Sequence, residues 1–271
     1  MNLSNKTIVV NAPKRPDRKK LFQDMLDEHF PDLEVEYTTD WKLNKNGEDI
    51  TDEWLSENNI QTYPDWNMPE GVNYNNEETY LPWWKRDMTQ GEKGCAISHY
   101  AIWSTVGDYD YVTVLEDDTY FLKNMKLEEY NMIDTLNNMG IDWDLLYLGR
   151  TPQDPTIEES AFGIYNLVKP KFTYCTYGYT LSRSGIEKLK GYNLNEGKII
   201  PSDEMLTATF FPHHREDIRK LIPPTLNAFS FEVGKEIVHQ HEIELVGSDT
   251  GPPNKDIELP SGRKLKSRYK W

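Results

Sequence analysis

Residues 111–118 read YVTVLEDD and join a short apolar, β-branched run to three consecutive acids. The composition of 111–115 is typical of a buried strand, which predicts a strand that stops at Glu116. The acids Glu116, Asp117 and Asp118 then lie at the carboxyl end of that strand, where open α/β sheets bind their ligands. Three adjacent carboxylates repel one another, and carboxylate oxygens suit Mg²⁺ or Mn²⁺. We interpret the triplet as a candidate metal site, with a solvated acidic surface as the alternative.

The chain on either side alternates apolar strand patterns with helix patterns. We predict strands at 7–11, 33–37, 145–148 and 172–181, and helices at 18–29, 89–106 and 127–139, with further helices beginning near Ser184 and Pro201. Thr89 with Glu92, and Ser184 with Glu187, have the spacing of capping boxes. This alternation predicts an α/β domain with a mostly parallel central sheet flanked by helices. We expect one domain over 1–260, a long irregular excursion at 40–88, and a basic, flexible tail at 261–271.

Composition excludes several classes of protein. The 271 residues include 30 Lys+Arg and 45 Asp+Glu, so the net charge is −15 and non-specific binding to nucleic acid is disfavoured. Cys95 and Cys175 are too few for a disulfide framework or a structural zinc site, and we expect free, buried thiols. No apolar run approaches the ~20 residues of a membrane span. Because no signal peptide is visible, we expect a cytoplasmic location.

Asp203 and Glu204 follow Pro201-Ser202 at a predicted helix start. Acids are favoured in the first turn of a helix by its dipole, so this pair could be purely structural. A carboxylate at that position could equally act as a general base if it reaches an acceptor hydroxyl.

Basic and aromatic residues supply further candidates. His239 and His241 alternate along a strand and could face one site, where an imidazole is a plausible Mn²⁺ ligand; a surface role is the alternative. We assign His213 and His214 to the surface. Arg15 and Arg18 follow the first strand, where phosphates or a nucleotide base could dock, and surface charge is the alternative. His99 and Trp103 share a helix face and could simply pack in the core.

Several longer motifs resemble glycosyltransferase family 25, the lipopolysaccharide and procollagen galactosyltransferase family. They read NAPKRPDR at 11–18, TQGEKGCAISHYAIW at 89–103, the acidic triplet at 116–118, WDLLYLGR at 143–150 and YGYTLS at 177–182. The C-terminal third resembles the procollagen branch more than the bacterial one, through PSDE at 201–204, LNAFS at 226–230, His241, and SDT at 248–250.

This resemblance implies a GT-A-like, metal-dependent, inverting transferase that uses Mn²⁺ or Mg²⁺ and a UDP-sugar, most often UDP-galactose. The implied acceptor is hydroxylysine of a collagen-like protein, or a glycan. It further implies Asp117, Asp118, His241 and Asp249 as metal ligands, Asp203 as general base with Glu204 as its rival, and Arg15, Asp17, Arg18, Asp40, Ser98, His99 and Glu116 around the donor.

Four alternatives remain. The acceptor could be a lipopolysaccharide-type or other surface glycan, or the chain could be a catalytically silent binder of sugar nucleotides or glycans. A metal-dependent phosphodiesterase or nuclease would also use an acidic cluster, although the negative charge makes nucleic acid a poor substrate. A glycoside hydrolase would use two carboxylates and no metal, so sensitivity to a chelator separates it from a transferase.

Overall fold

The computed structural model describes residues 5–46, 49–63, 88–122, 124–191 and 198–241, and two short strands at Ile257–Glu258 and Lys264–Leu265. The predicted tail at 261–271 lies largely outside this part of the chain, as does most of the excursion at 40–88. No described helix is both long enough and apolar enough to cross a membrane.

Eight of the described strands form the central sheet. They are β1 (Asn5–Val10), β2 (Glu36–Tyr37), β4 (Tyr111–Glu116), β6 (Leu145–Pro152), β7 (Glu159–Ser160), β8 (Leu167–Lys169), β9 (Thr173–Ser182) and β11 (Ala228–Phe231), in the spatial order β2-β1-β4-β9-β6-β11-β8-β7. Smaller strand pairs join β3 (Gln61–Thr62) to β10 (Lys198–Ile199), and β5 (Thr119–Phe121) to β12 (Val238–Gln240).

The predicted α/β architecture is confirmed, and the sheet is mixed. Within the described sheet, β1 pairs in parallel with β2 and β4, and β6 pairs in parallel with β11, while the other pairings are antiparallel. The antiparallel pairings arise because β9 runs back between β4 and β6, and because β8 runs opposite to both β11 and β7. Strand composition does not reveal strand direction, so the sequence did not show this.

Helices cover both faces of the sheet. They are α1 (Pro16–His29), α2 (Asp52–Glu57), α3 (Gln90–Thr105), α4 (Met125–Asn138), α5 (Arg183–Gly191), α6 (Ser202–Ala208) and α7 (Glu216–Leu221). Successive residues of β1 point to opposite faces, as a strand requires. Ile8 joins the buried cluster beneath α2, α3, α5, α6 and α7, whereas Val9 joins the cluster beneath α1 and α4.

One of the two predicted capping boxes is present. The amide of Glu92 donates to Thr89 Oγ1 and the amide of Thr89 donates to Glu92 Oε2, which confirms the box at the start of α3. The box at Ser184 is wrong. Helix α5 begins one residue earlier, and Ser182 Oγ accepts the amide of Gly185, so Ser184 lies inside the helix.

Two glycines bring β12 against the sheet. A Cβ on Gly149 would overlap the carbonyl oxygen of Val238 and lie 2.6 Å from a ring carbon of Tyr177. A Cβ on Gly178 would lie 2.5 Å from Val238 Cγ2. Because neither glycine carries a side chain, β12 passes close over β6 and β9 and delivers its residues to the end of β4.

Candidate active site

The acidic triplet lies at the carboxyl end of β4, as predicted. The first five residues of β4 are buried, and the turn after it is anchored by the amide of Asp117, which donates to the carbonyl of Val10 at 3.1 Å. Asp117 and Asp118 are each only 6 % exposed. These carboxylates are therefore largely removed from water, which a surface cluster would not be.

Arg18 lies against two of the three acids. Its Nη1 lies 3.2 Å from Asp117 Oδ1 and 3.2 Å from Asp118 Oδ2, and the guanidinium is buried. Asn11 Nδ2 donates to the other oxygen of Asp117 at 2.6 Å. Pro16 begins α1, a position that proline favours, and this places Arg18 in the first turn beside the end of β4.

The three carboxylates of the triplet carry more negative charge than Arg18 balances. Burial is the largest of the causes that together raise the pKa of Asp117 to about 6 and that of Asp118 to about 7. The charge of Glu116 contributes to both shifts, and the charge of Arg18 opposes them. Asp118 Oδ1 is buried and has no hydrogen-bond partner among the described residues. A divalent cation would supply the missing charge and a partner for that oxygen, so the donor set fits Mg²⁺ or Mn²⁺.

Glu116 is held separately from the two aspartates. His99 Nε2 lies 3.2 Å from Glu116 Oε1, and the hydroxyl of Thr176 donates to the same oxygen at 2.5 Å. Burial raises the pKa of Glu116, but the hydrogen bonds from His99 and Thr176 and the nearby charge of Arg18 lower it, and the net shift is downward.

Cys95, His99 and Glu116 form a second cluster whose ligand atoms lie within 4.8 Å of one another. Burial raises the pKa of the Cys95 thiol well above its ordinary value, and nearby Glu116 adds to the shift. A thiol binds metal as the thiolate, and both nitrogens of His99 are already hydrogen-bonded. This trio therefore suits a cation less well than Asp118 does. Both cysteines are free, as predicted, but only partly buried.

The start of α6 lies beside the end of β4. Ser202 Oγ is 3.2 Å from Cys95 Sγ and 3.4 Å from Thr176 Oγ1, and Thr176 in turn contacts Glu116. Asp203, the next residue, accepts from its neighbour's amide at 2.8 Å and from the amide of Cys175 at 3.5 Å. Burial is the largest of the causes that together raise the pKa of Asp203 to about 7, and the charge of Glu204 is the next largest.

Glu204 has a different environment. Its Oε2 lies 2.7 Å from His213 Nε2, and both side chains are buried. The prediction that His213 lies at the surface is wrong, because its imidazole is the partner of this buried carboxylate. His214 is exposed, as predicted.

Strand β12 and the residue after it contact Asp118, through the side chain of Gln240 and the backbone of His241. Gln240 Nε2 donates to Asp118 Oδ2 at 3.0 Å, and the amide of His241 donates to the Asp118 carbonyl at 2.7 Å. The rings of His239 and His241 both contact the Tyr120 ring, with centroids 5.7 and 4.9 Å away. The two alternate histidines therefore lie against one ring, at the end of β4.

The remaining predicted residues lie around this centre. Arg15 and Asp17 pair with each other at 2.9 Å, and this hydrogen bond lowers the pKa of Asp17 to about 2. Asp40 is exposed at the end of a 3-10 turn, with no contact to the triplet recorded among the described residues. Ser98 Oγ donates to Asn44, which places Ser98 beneath the site as a support. Asp249 lies outside the described residues.

Several residues of the site were not predicted from the sequence. They are Asn11, Tyr120, Thr176, Tyr179 and Gln240. Asn11 and Tyr179 lie inside motifs that the sequence singled out, so position within a motif was the available signal. Thr176 and Gln240 carry no signal in their local sequence, because their partners are distant in the chain.

The buried carboxylates at the end of β4 carry more negative charge than Arg18 balances, and Asp203 lies on a neighbouring helix. This arrangement is a candidate centre for group transfer. A sequence model of glycosyltransferase family 25, described as LPS biosynthesis protein, matches residues 4–206. The chain belongs to this family, and the resemblance read from its motifs is confirmed.

Curated relatives include proteins named as procollagen galactosyltransferases and proteins labelled inactive. The chain is 34 % identical over 155 residues to procollagen galactosyltransferase 2 of Homo sapiens, covering 56 % of this chain and 25 % of that protein. It is 30 % identical over 237 residues to procollagen galactosyltransferase 1-A of Xenopus laevis, covering 84 % and 35 %. It is 34 % identical over 152 residues to the probable inactive glycosyltransferase 25 family member 3 of Rattus norvegicus, covering 55 % and 26 %. The chain thus spans only a quarter to about a third of these relatives' lengths.

Among solved structures, the galactosyltransferase LgtC in complex with donor and acceptor sugar analogues is similar over 83 % of this chain and 86 % of that chain. The TM-score is 0.33 and the sequence identity is 10 %. A likeness this distant carries no argument about fold or function.

Proposed function

We propose that the chain is a metal-dependent, inverting glycosyltransferase that moves galactose from UDP-galactose to an acceptor hydroxyl. The observation that carries this proposal is the buried Oδ1 of Asp118, which has no hydrogen-bond partner in the described part of the chain and lies in a triplet with more negative than positive charge. Such an oxygen costs free energy unless a cation or donor satisfies it. Membership of the family supports the reaction class.

Asp118 would hold Mn²⁺ or Mg²⁺, with Asp117 and His241 beside it. Their placement supports this assignment, since the His241 backbone is hydrogen-bonded to Asp118 and Asp117 shares Arg18 with it. When bound, such an ion acts as a Lewis acid that neutralises the charge developing on a diphosphate leaving group.

Asp203 is the proposed general base. Its pKa of about 7 leaves it partly ionised at neutral pH, which suits a base that works near that pH. As the acceptor oxygen bonds to the anomeric carbon, its proton passes to Asp203. The bond from that carbon to the diphosphate oxygen breaks, and UDP leaves with the electron pair. Glu204 is paired with His213 and so serves to hold the start of α6.

The acceptor proposed is hydroxylysine in a collagen-like protein, because the named active relatives are procollagen galactosyltransferases. Transfer to a lipopolysaccharide-type glycan is the alternative that the family description favours. A silent binder of sugar nucleotides is a second candidate function, because relatives of similar identity are labelled inactive.

The test is release of UDP from a panel of UDP-sugars, with Mn²⁺ or with chelator. Each donor is offered with a collagen peptide that contains hydroxylysine, and with the same peptide containing lysine as the matched control. We expect metal-dependent release that is fastest with UDP-galactose and is stimulated only by the hydroxylated peptide. Metal-dependent binding of UDP without turnover of any donor would favour the silent binder, and turnover that a chelator leaves unchanged would contradict the proposal.

A further inference from the structure

A chain of hydrogen bonds runs from the core to Glu116. Trp103 Nε1 donates to the Tyr179 hydroxyl at 2.9 Å, and that oxygen lies 2.8 Å from His99 Nδ1. His99 Nε2 then lies 3.2 Å from Glu116 Oε1. His99 and Trp103 are four residues apart on α3, so both face β9, which carries Tyr179.

The direction of these bonds follows from counting hydrogens. The Tyr179 oxygen accepts from Trp103 and has one hydrogen of its own, which burial retains by raising the pKa of Tyr179. Among the described residues, the only acceptor recorded for that hydrogen is His99 Nδ1. A neutral imidazole that accepts at Nδ1 carries its proton on Nε2, so His99 donates to Glu116. Every bond therefore donates toward the carboxylate, and each strengthens the next.

The two oxygens of Glu116 differ. Oε1 receives His99 and also the hydroxyl of Thr176, whereas no hydrogen bond to Oε2 is recorded among the described residues. The side chain is 18 % exposed, while His99 is fully buried. One oxygen is therefore anchored by two donors, and the other is available to accept a hydrogen bond from a ligand.

We propose that Trp103, Tyr179 and His99 are positioning residues that aim the free oxygen of Glu116 at a hydroxyl of the sugar nucleotide. This inference rests on the proposed function. An anionic acceptor held in one orientation suits a hydroxyl donor, because hydrogen bonds to charged acceptors are roughly twice as strong as neutral ones. The hydroxyl belongs either to the ribose or to the transferred sugar, and both carry the same chemistry.

The first test is a pair of matched variants. Tyr179→Phe removes the hydroxyl that fixes His99. Tyr111→Phe removes a hydroxyl that accepts from Asn5 at the opposite end of β4, and so costs one hydrogen bond far from the site. We expect Tyr179→Phe to raise KM for the UDP-sugar about tenfold with kcat within about threefold, the size of one lost hydrogen bond to a charged group. Tyr111→Phe should leave KM unchanged.

Dissociation constants with UDP, 2′-deoxy-UDP, 3′-deoxy-UDP and the complete UDP-sugar then separate the two sources of the hydroxyl. If the ribose is bound, Tyr179→Phe weakens UDP and the UDP-sugar alike, and one deoxy analogue is insensitive to the variant. If the sugar is bound, only the UDP-sugar is weakened. Unchanged affinity for all four ligands would overturn the proposal.

Two further measurements do not depend on turnover. Long-range ¹H–¹⁵N spectra should show His99 as the Nε2–H tautomer in the unaltered protein, with loss of that preference in Tyr179→Phe. An Nδ1–H tautomer would overturn the proposal even if the protein is an active transferase.

His99→Gln can still donate to Glu116 and accept from Tyr179, so it should retain donor affinity that His99→Leu loses. Equal affinity in these two variants would also contradict the inference. Failure of the unaltered protein to bind UDP with Mn²⁺, despite the expected tautomer, would instead count against the proposed function.

Discussion

The guanidinium of Arg18 joins Asp117 to Asp118, with Nη1 3.2 Å from one carboxylate oxygen of each. All three side chains are buried. One cation thus serves two anions in a place that excludes water, and Glu116 adds a third negative charge nearby. The site therefore carries excess negative charge, which favours a positively charged ligand.

Replacing Arg18 by methionine keeps much of the stem and removes the charge. We expect the metal-free protein to lose about 3 kcal/mol of unfolding free energy at pH 8, because breaking a buried ion pair strands its partners. The loss should shrink at pH 5, since pKa values of about 6 and 7 leave Asp117 and Asp118 mostly protonated there. Urea unfolding at both pH values checks this.

The matched control is Arg183→Met. Arg183 pairs with Asp108 and Asp110 at the surface, where ion pairs contribute less than about 1 kcal/mol. An equal loss for Arg18→Met at pH 5 and pH 8 would show that its contribution is packing and not charge.

Asp203→Asn should stabilise the metal-free protein while abolishing turnover. The folded-state pKa of about 7 lies above the ordinary 3.8, so ionised Asp203 destabilises the fold above pH 7. That penalty fades as the pH falls through 7 toward 3.8. At about 1.4 kcal/mol per pKa unit, this shift corresponds to roughly 4 kcal/mol, so we expect a gain of up to about 4 kcal/mol at pH 8 and less at pH 5. Exposed Asp134→Asn is the control, and a destabilised Asp203→Asn at pH 8 would refute the assignment.

Comparing Glu204→Gln with Asp203→Asn tests which of the two acids is the general base. The amide can still hydrogen-bond to His213, so we expect turnover to remain within about tenfold of the unaltered protein, whereas Asp203→Asn should lose about a hundredfold or more. The profile of kcat against pH should rise through about pH 7 in Glu204→Gln, as in the parent, because the titrating base is retained. The reverse order of the two variants would make Glu204 the base.

Gly149→Ala tests the placement of β12. The new methyl group would meet the Val238 carbonyl oxygen, so the strand must shift and carry Gln240 and His241 away from Asp118. We expect a loss of about 2 kcal/mol in unfolding free energy, within the range for overpacking, and weaker binding of UDP with Mn²⁺. Gly191→Ala is the control, since its Cβ meets nothing within 4 Å. Unchanged nucleotide binding in Gly149→Ala would remove β12 from the site.

The sequence predicted those parts of the molecule that local patterns determine. Strand β4, its acidic end and the capped start of α3 follow from residue types within a few positions of one another. The contact between Arg18 and the triplet spans about a hundred residues, and the partner of Glu204 is a histidine that returns from beyond the end of α6. Such contacts depend on how helices pack on the sheet, so neither the burial of His213 nor the antiparallel course of β9 could be predicted from local sequence.

The most direct test of the central claim is calorimetric titration of UDP into the protein with Mn²⁺ and with chelator, for the unaltered chain and for Asp118→Asn. We expect binding that requires Mn²⁺ in the unaltered chain, and loss of that binding in the variant with its thermal stability retained. Binding of UDP that is equally tight with chelator, or unchanged in Asp118→Asn, would contradict a metal site at the end of β4.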